Sequence, residues 1–443
     1  MHKNIIKWMQ ILLKERLSND LNLEFKNEQL FLTANGCLGL IIFDELQKNF
    51  LEFKSNLNCT KWDPKSEGLF SIPKIPLFAP TSITLKRVII ERKRENYLIH
   101  YDIFGLAYWT LNRLEEVENK NLDKFKRFNF KYSHAYNYKY LDQPIIDYWF
   151  DILSQVVKKL WPKINLKKSK FMINLSHDVD RPSVHYCGKN FHSYLRNIAS
   201  RFVHGNIKDY KKILKSYLST HRKKELNDPY NTFEWIMNLA EENDLKSTFN
   251  FIFGGSHFRD GYYSMENKKI KTLINLINNR KHYIGIHLSY NCFNKKAHII
   301  DELRNFHIFV KSNNIKQDKI ISRMHYLKWK AQDTLVYLNN AGVDIDTSLG
   351  YSGYAGFRCG TCLPYTGFDP LKNQLLDIKV SPLILMDTTL TSNPNFKLDD
   401  AYNIGLNLKN KCKEVNGQFT LLWHNCNLID NDYKELLRSL LKF

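Results

Sequence analysis

No run of eighteen uncharged apolar residues occurs in this sequence, so no membrane-spanning helix is expected. The N-terminal apolar stretch lacks a small-residue cleavage site. Lys14, Glu15 and Arg16 follow it directly, and Ile5, Ile6, Met9, Leu12 and Leu13 recur at helical spacing. That pattern predicts an amphipathic first helix rather than an export signal, and with it a cytoplasmic protein. Neither a Pro- or Gly-rich linker nor a solenoid-length repeat divides the chain. Its eight cysteines form no regular framework, which suits reduced thiols. Cys359 and Cys362 make a CxxC, but without a second cysteine pair they read as two small buried residues in a tight loop. There is also no continuous basic tract, although 65 basic residues outweigh 45 acidic ones for a net charge of +20. The excess is spread in short runs such as Lys167-Lys168 and Arg222-Lys223-Lys224. With no helix-turn-helix, RNP-like or zinc-finger pattern, specific nucleic-acid binding is not expected. The charge fits an anionic partner, including peripheral contact with an anionic membrane surface.

A length of 443 residues predicts two domains, and a hydrophobic fraction of 43% is ample for their cores. The texture changes near WPKINLKKSK, residues 161–170, dividing an N-terminal α+β domain, residues 1–165, from a second domain, residues 166–443. The first part has a strand candidate at Ser82–Glu91 and an apolar-aromatic helix candidate at Ile103–Glu116. In the second, short apolar runs alternate with helical patterns. The strand candidates are Phe171–Leu175, Thr248–Phe253, Tyr283–Leu288, Ile320–Leu327, Gly342–Asp346, Pro382–Met386 and Phe419–Trp423. Helical faces are formed by Phe233, Ile236, Met237 and Ala240 behind the cap Asn231, by Ile270, Leu273, Ile274 and Ile277, and by Ile299, Leu303, Phe306 and Val310. Seven strands alternating with helices predict parallel β/α units, as an incomplete barrel or a doubly wound sheet.

In parallel β/α folds the working residues sit at the C-terminal ends of strands. Asp178 and Asp180 follow the first strand in NLSHDVDRP, His287 closes the third in IGIHLSYN, Arg323 and His325 lie late on the fourth in ISRMHYLKW, and His424 follows the last in LLWHNCN. Asp344 and Asp346 close the fifth and also read as ordinary strand-end caps. Carboxylate and imidazole together can hold a divalent metal while leaving room for water, which the metal acidifies. Two carboxylates two apart on an extended segment project to one side, so one can serve as base while the other binds metal. Arg358 and Tyr365, in and beside the CGTCLPY loop, are candidates to contact substrate or to pin that loop. His257, His282 and His298 read as structural or solvated.

The order and context of HDVD, IGIHLSY, RMHYL, DIDTSLGY, GFRCGTCLPY and LLWHN resemble the polysaccharide deacetylases of carbohydrate esterase family four, over roughly residues 165–443. The likeness is greatest to a branch found with bacterial surface-polysaccharide synthesis, whose extra N-terminal domain YDIFGLAYWTLNRLEEVE, FKRFNF and QPIIDYW also resemble. The resemblance implies a distorted, incomplete parallel β/α barrel of about seven strands. It implies a hydrolase that removes an acetyl group from an acetylated glycan or sugar precursor with a divalent ion, zinc being expected. Asp178 would be the base, Asp180 and His287 metal ligands, Arg323 the group that orients the catalytic carboxylate, and His424 the histidine near the leaving group. One departure stands out: the second metal histidine of the family, four residues after the first, is Asn291 here. His325 is the candidate to replace it, on a neighbouring strand end. The departure leaves a second reading open, a catalytically inactive relative that binds carbohydrate or serves as a scaffold.

Overall fold

A computed structural model describes residues 1–53, 57–73, 76–184, 228–255, 257–261, 263–391 and 397–442. The basic run at 222–224 lies outside them. The chain forms two compact units, one of Met1–Met172, Trp329–Ile384 and Leu408–Phe419, the other of Ile173–Lys328, Leu385–Asn407 and Thr420–Phe443. Among the described residues no helix is long and apolar enough to cross a membrane.

The first unit opens with the helix Lys3–Arg16, which buries Ile5, Trp8, Met9, Leu12 and Leu13 and carries Lys14 and Arg16 in its last turn, where cations suit the helix dipole. Strands β1 (Leu21–Lys26) and β2 (Gln29–Ala34) form a hairpin over Asn27 and Glu28, both left-handed as a two-residue turn requires. With β3 (Ile41–Phe43), and beyond β4 (Asn58–Trp62) and β5 (Leu77–Thr81), the strands β6 (Ile90–Lys93) and β7 (Asn96–Ile99) complete a five-stranded sheet in the order β1-β2-β3-β7-β6, while β4 and β5 pair separately.

The strand expected over Ser82–Glu91 begins only at Ile90. Side chains take up the preceding backbone donors, Ser82 N–H donating to Gln47 Oε1 and Ile83 N–H to Thr81 Oγ1, so no ladder forms there. The helix expected over Ile103–Glu116 stops at Leu111. Arg113 turns left-handed (φ 53°), and a 3-10 turn follows at Leu114–Glu116.

The second unit is built on β8 (Met172–Val179), β9 (Thr248–Phe251), β10 (Tyr283–Leu288) and β11 (Ile321–Met324). Helices Phe233–Glu242, Lys268–Asn279 and Lys296–Ser312 follow β8, β9 and β10 and bury most of the apolar stripe read from each sequence, with Leu273 and Val310 only half-buried and Thr232 rather than Asn231 at the first N-cap. The chain then returns to the first unit for β12 (Ile345–Asp346), β13 (Tyr365–Asp369) and β14 (Gln374–Val380), where β13 and β14 form an antiparallel hairpin that periodicity missed. Strands β15 (Leu385–Met386) and β16 (Gln418–Leu422) close the second unit, whose strand order is β11-β10-β9-β8-β16-β15. Pairs β8/β9, β9/β10, β10/β11 and β15/β16 are parallel. This is a mixed α/β protein whose strand pairs are mostly antiparallel in the first unit and parallel in the second, so the C-terminal strand ends of the second unit share one edge.

Candidate metal centre

Everything at that edge starts from β8, whose last residues are buried and whose Asp178 stands in register with Asn250 of β9. Asn250 Nδ2 donates to Asp178 Oδ1 at 2.8 Å. The next strand makes room for it: a Cβ on Gly285 would lie 2.0 Å from Asn250 Oδ1. Arg323 on β11 is completely buried, with Nη1 3.6 Å from Asp178 Oδ1. Burial pushes the Asp178 carboxyl up, but His287, Arg323 and His424 outweigh it and hold the group below its ordinary range.

Asp180 lies one step beyond the strand. Its Oδ1 is 3.3 Å from His287 Nε2 and 3.4 Å from His325 Nε2. That oxygen is buried and makes no hydrogen bond, although the Asp180 side chain as a whole is 25% exposed. The other nitrogen of each imidazole is engaged. His287 Nδ1 donates to the Arg323 carbonyl at 3.0 Å, and His325 Nδ1 to Asp260 Oδ1 at 3.0 Å. Carbonyl and carboxylate can only accept, so Nδ1 carries an N–H in both histidines, and in the neutral ring each Nε2 turns a lone pair towards a carboxylate oxygen. Three acceptors facing one another repel unless a proton or a cation lies among them.

The ligand atoms of Asp180, His287 and His325 all fall within 4.8 Å of one another. Two Nε2 donors and one carboxylate, with both rings oriented through Nδ1, fit a divalent ion with open coordination positions. Without one, a proton does the same work. Burial disfavours charge on His325, yet Asp180 and Asp260 raise its pKa to about 9, and His325 and His287 in turn hold Asp180 well below its ordinary value.

His325 reaches the centre because the chain turns sharply after β11: Tyr326 (φ 61°) and Leu327 (φ 52°) are both left-handed, uncommon for side chains of this size. Asp260 is 4% exposed and also accepts Tyr290 N–H at 2.7 Å and His257 N–H at 3.1 Å. On the opposite flank His424 follows β16. Its Nδ1 lies 2.8 Å from Asp387 Oδ1, its backbone N–H donates to Asp387 Oδ2 at 2.8 Å, and its Nε2 is 3.8 Å from Asp180 Oδ2. Burial lowers the His424 pKa, but Asp387, Asp180 and Asp178 together hold it well above an ordinary imidazole.

The second unit thus brings together Asp178, Asp180, His287, Arg323, His325 and His424. Arg358 and Tyr365 belong to the first unit and are buried there. Arg358 is paired with Glu116 through Nε at 3.0 Å and Nη2 at 2.6 Å, and the Tyr365 hydroxyl donates to the Leu111 carbonyl at 2.7 Å. Both pin the loop that carries Cys359 and Cys362, which are buried free thiols either side of Gly360 (φ 61°). Asp346 caps its strand end by accepting from Ser348, and Asn291 leads into the 3-10 turn Cys292–Asn294. Sequence reasoning missed Asn250, Asp260 and Asp387. Asn250 is the polar residue inside TFNFIF, and Asp387 directly follows an expected strand, so both carried a signal; Asp260, in the loop after β9, carried none.

Residues 4–162 match the model of a family of unknown function (DUF7033). No curated protein matches the sequence. Among solved structures, the chain is similar to a candidate polysaccharide deacetylase from Mycobacterium smegmatis, at 12% identity over 62% of this chain and 84% of that one, with a TM-score of 0.42. It is also similar to a mutant CE4-family pseudoenzyme with restored enzymatic activity, at 8% identity over 61% of each chain and a TM-score of 0.32. The PuuE allantoinase is similar at 12% identity over 63% and 85%, with a TM-score of 0.38. Likenesses this distant leave function to be argued from the site itself.

Proposed function

We propose that this chain is a metal-dependent hydrolase, built on a distorted, incomplete β/α barrel, that removes the acetyl group from an acetylated sugar of a bacterial surface polysaccharide or its precursor. The reading rests on one observation: Asp180 Oδ1 is buried without a hydrogen bond between the Nε2 atoms of two imidazoles that are each held in place through Nδ1. Asp180, His287 and His325 would hold the ion. A divalent ion held there supplies Lewis-acid chemistry, acidifying water and polarising a carbonyl.

The remaining work belongs to side chains. Asp178 takes the proton of the water that attacks the acetyl carbonyl, while Asn250 and Arg323 keep that carboxylate oriented and ionised. A carbon–oxygen bond forms, the bond from the acyl carbon to the sugar nitrogen or oxygen breaks, and acetate leaves. His424, held as imidazolium by Asp387, protonates the departing group. The motifs surrounding these residues in the sequence support sugar acetyl groups as the substrate.

Metal analysis of the purified protein beside Asp180→Ala, His287→Ala and His325→Ala tests the reading. About one divalent ion per chain is expected in the wild type and none in the variants. Acetate release from an acetylated glycan should follow metal content. A well-folded wild type that stays metal-free after supplementation overturns the proposal and favours the inactive carbohydrate-binding alternative.

A further inference from the structure

We propose that the first unit carries a saccharide-binding site of its own, a cleft and aromatic shelf that takes an acidic glycan chain, and that it works whether or not the metal centre is catalytic. Tyr132, Tyr136 and Tyr138 are 50%, 36% and 37% exposed, an unusual density of open rings within seven residues. Their exposure is not fraying. The segment is anchored at His134, whose backbone N–H donates to Glu115 Oε2 at 2.9 Å and whose Nε2 lies 3.0 Å from the Leu57 carbonyl. Phe130, Tyr136 and Tyr354 form a shelf with ring centroids 5.1, 5.4 and 5.7 Å apart.

Beside this segment Tyr138 packs on the His134 ring at 4.5 Å and forms one wall of a cleft of about 610 Å³. Asn58, Thr60, Lys61, Ser82 and Thr84 supply polar groups to a lining that also includes apolar side chains such as Ile83 and Leu85. The volume lies within the usual range for small-molecule sites. Its chemistry is that of a sugar's counterpart: an aromatic face for the C–H side of a pyranose, with amide, hydroxyl and ammonium groups for its hydroxyls. The sign of charge follows from the same stretch. Residues 119–139 carry Lys120, Lys124, Lys126, Arg127, Lys131 and Lys139 against a single carboxylate, Asp123, which is paired with Arg127 at 2.7 Å. Nucleic acid fits less well, because successive bases stack on parallel faces, whereas Tyr136 meets Phe130 and Tyr354 edge-on at 79° and 87°.

Affinity electrophoresis of the full chain in gels containing polygalacturonate, dextran or poly-U tests this. Polygalacturonate should retard the wild type, less so as salt rises. Tyr138→Ser and Lys61→Glu should each weaken retardation roughly fivefold while metal content stays unchanged. Lys61 is exposed on β4, so its reversal keeps the test open even if Tyr138→Ser folds poorly. No retardation by polygalacturonate, equal retardation by dextran, tighter binding of poly-U, or a Lys61→Glu protein that behaves as wild type would overturn the proposal. None of these outcomes depends on acetate release, so this proposal and the hydrolase reading fail separately.

Discussion

His325 illustrates how a neighbouring carboxylate can orient one side chain as the proposed metal ligand. Asp260 Oδ1 fixes the His325 ring through Nδ1 and so turns Nε2 towards Asp180. Asp260→Asn keeps shape but replaces a charged acceptor with an amide free to present its NH2 instead. It should weaken metal affinity by about 10- to 100-fold with the fold intact, as measured by competition with a chelator; an unchanged affinity would show that His325 needs no such partner. Asp387 does the corresponding work for His424. Asp387→Asn removes the main attraction opposing burial, so the His424 pKa should fall, read by NMR titration. A titration that does not move would mean that Asp178 and Asp180 suffice to keep the ring charged.

Elements contribute by where they stop. The helix Ile103–Leu111 is buried on every side and begins at Asp102, whose Oδ1 accepts the Gly105 N–H at 2.7 Å and whose Oδ2 accepts the Gln47 N–H at 3.0 Å. Gly105 is required there, since a Cβ would sit 2.1 Å from Asp102 Oδ2. Burial raises the Asp102 pKa from 3.8 to about 6, against the two backbone hydrogen bonds. A carboxyl whose folded pKa is raised binds its proton more tightly in the folded state. Its stabilising contribution is therefore fully present below pH 3.8 and is lost as pH rises through about 6. Asp102→Asn cannot titrate, so the stability of wild type relative to this variant should fall by about 3 kcal/mol between those limits. Urea unfolding of both proteins across that range measures it, and a pH-independent difference would place the carboxyl in a less desolvated setting.

At the scale of the whole chain, the first unit is tied together by charges far apart in sequence. Arg358 is buried and paired with Glu116, 242 residues away, and Glu116 also accepts from Arg113 Nε at 2.9 Å. Burial pushes the Glu116 carboxyl up, but the two guanidinium groups hold it below its ordinary value. Arg358→Met strands much of that charge in a low-dielectric interior. The cost should be about 3–5 kcal/mol in denaturant unfolding, and a loss near zero would mean that Arg113 alone satisfies Glu116.

Much of the second unit was legible because it depends on near neighbours. Alternation of short apolar runs with 3.6-residue stripes locates β8 to β11 and their helices, and strand-end position singles out Asp178, Asp180, His287, Arg323, His325 and His424. Such patterns are set by the backbone's own repeat, which every stretch of sequence carries. The strand absent at Ser82 and the helix broken at Arg113 were not legible, since side-chain hydrogen bonds overrode local preference there. The same limit applies to Asp260 and Asp387, which meet His325 and His424 across 65 and 37 residues. Arg358 and Tyr365 stood in a motif-like loop, but burial against Glu116 and Leu111 made them its fastenings. Spacing along a chain says which residues can share an edge; only folding brings loops back over that edge and settles which acceptor each imidazole and guanidinium meets.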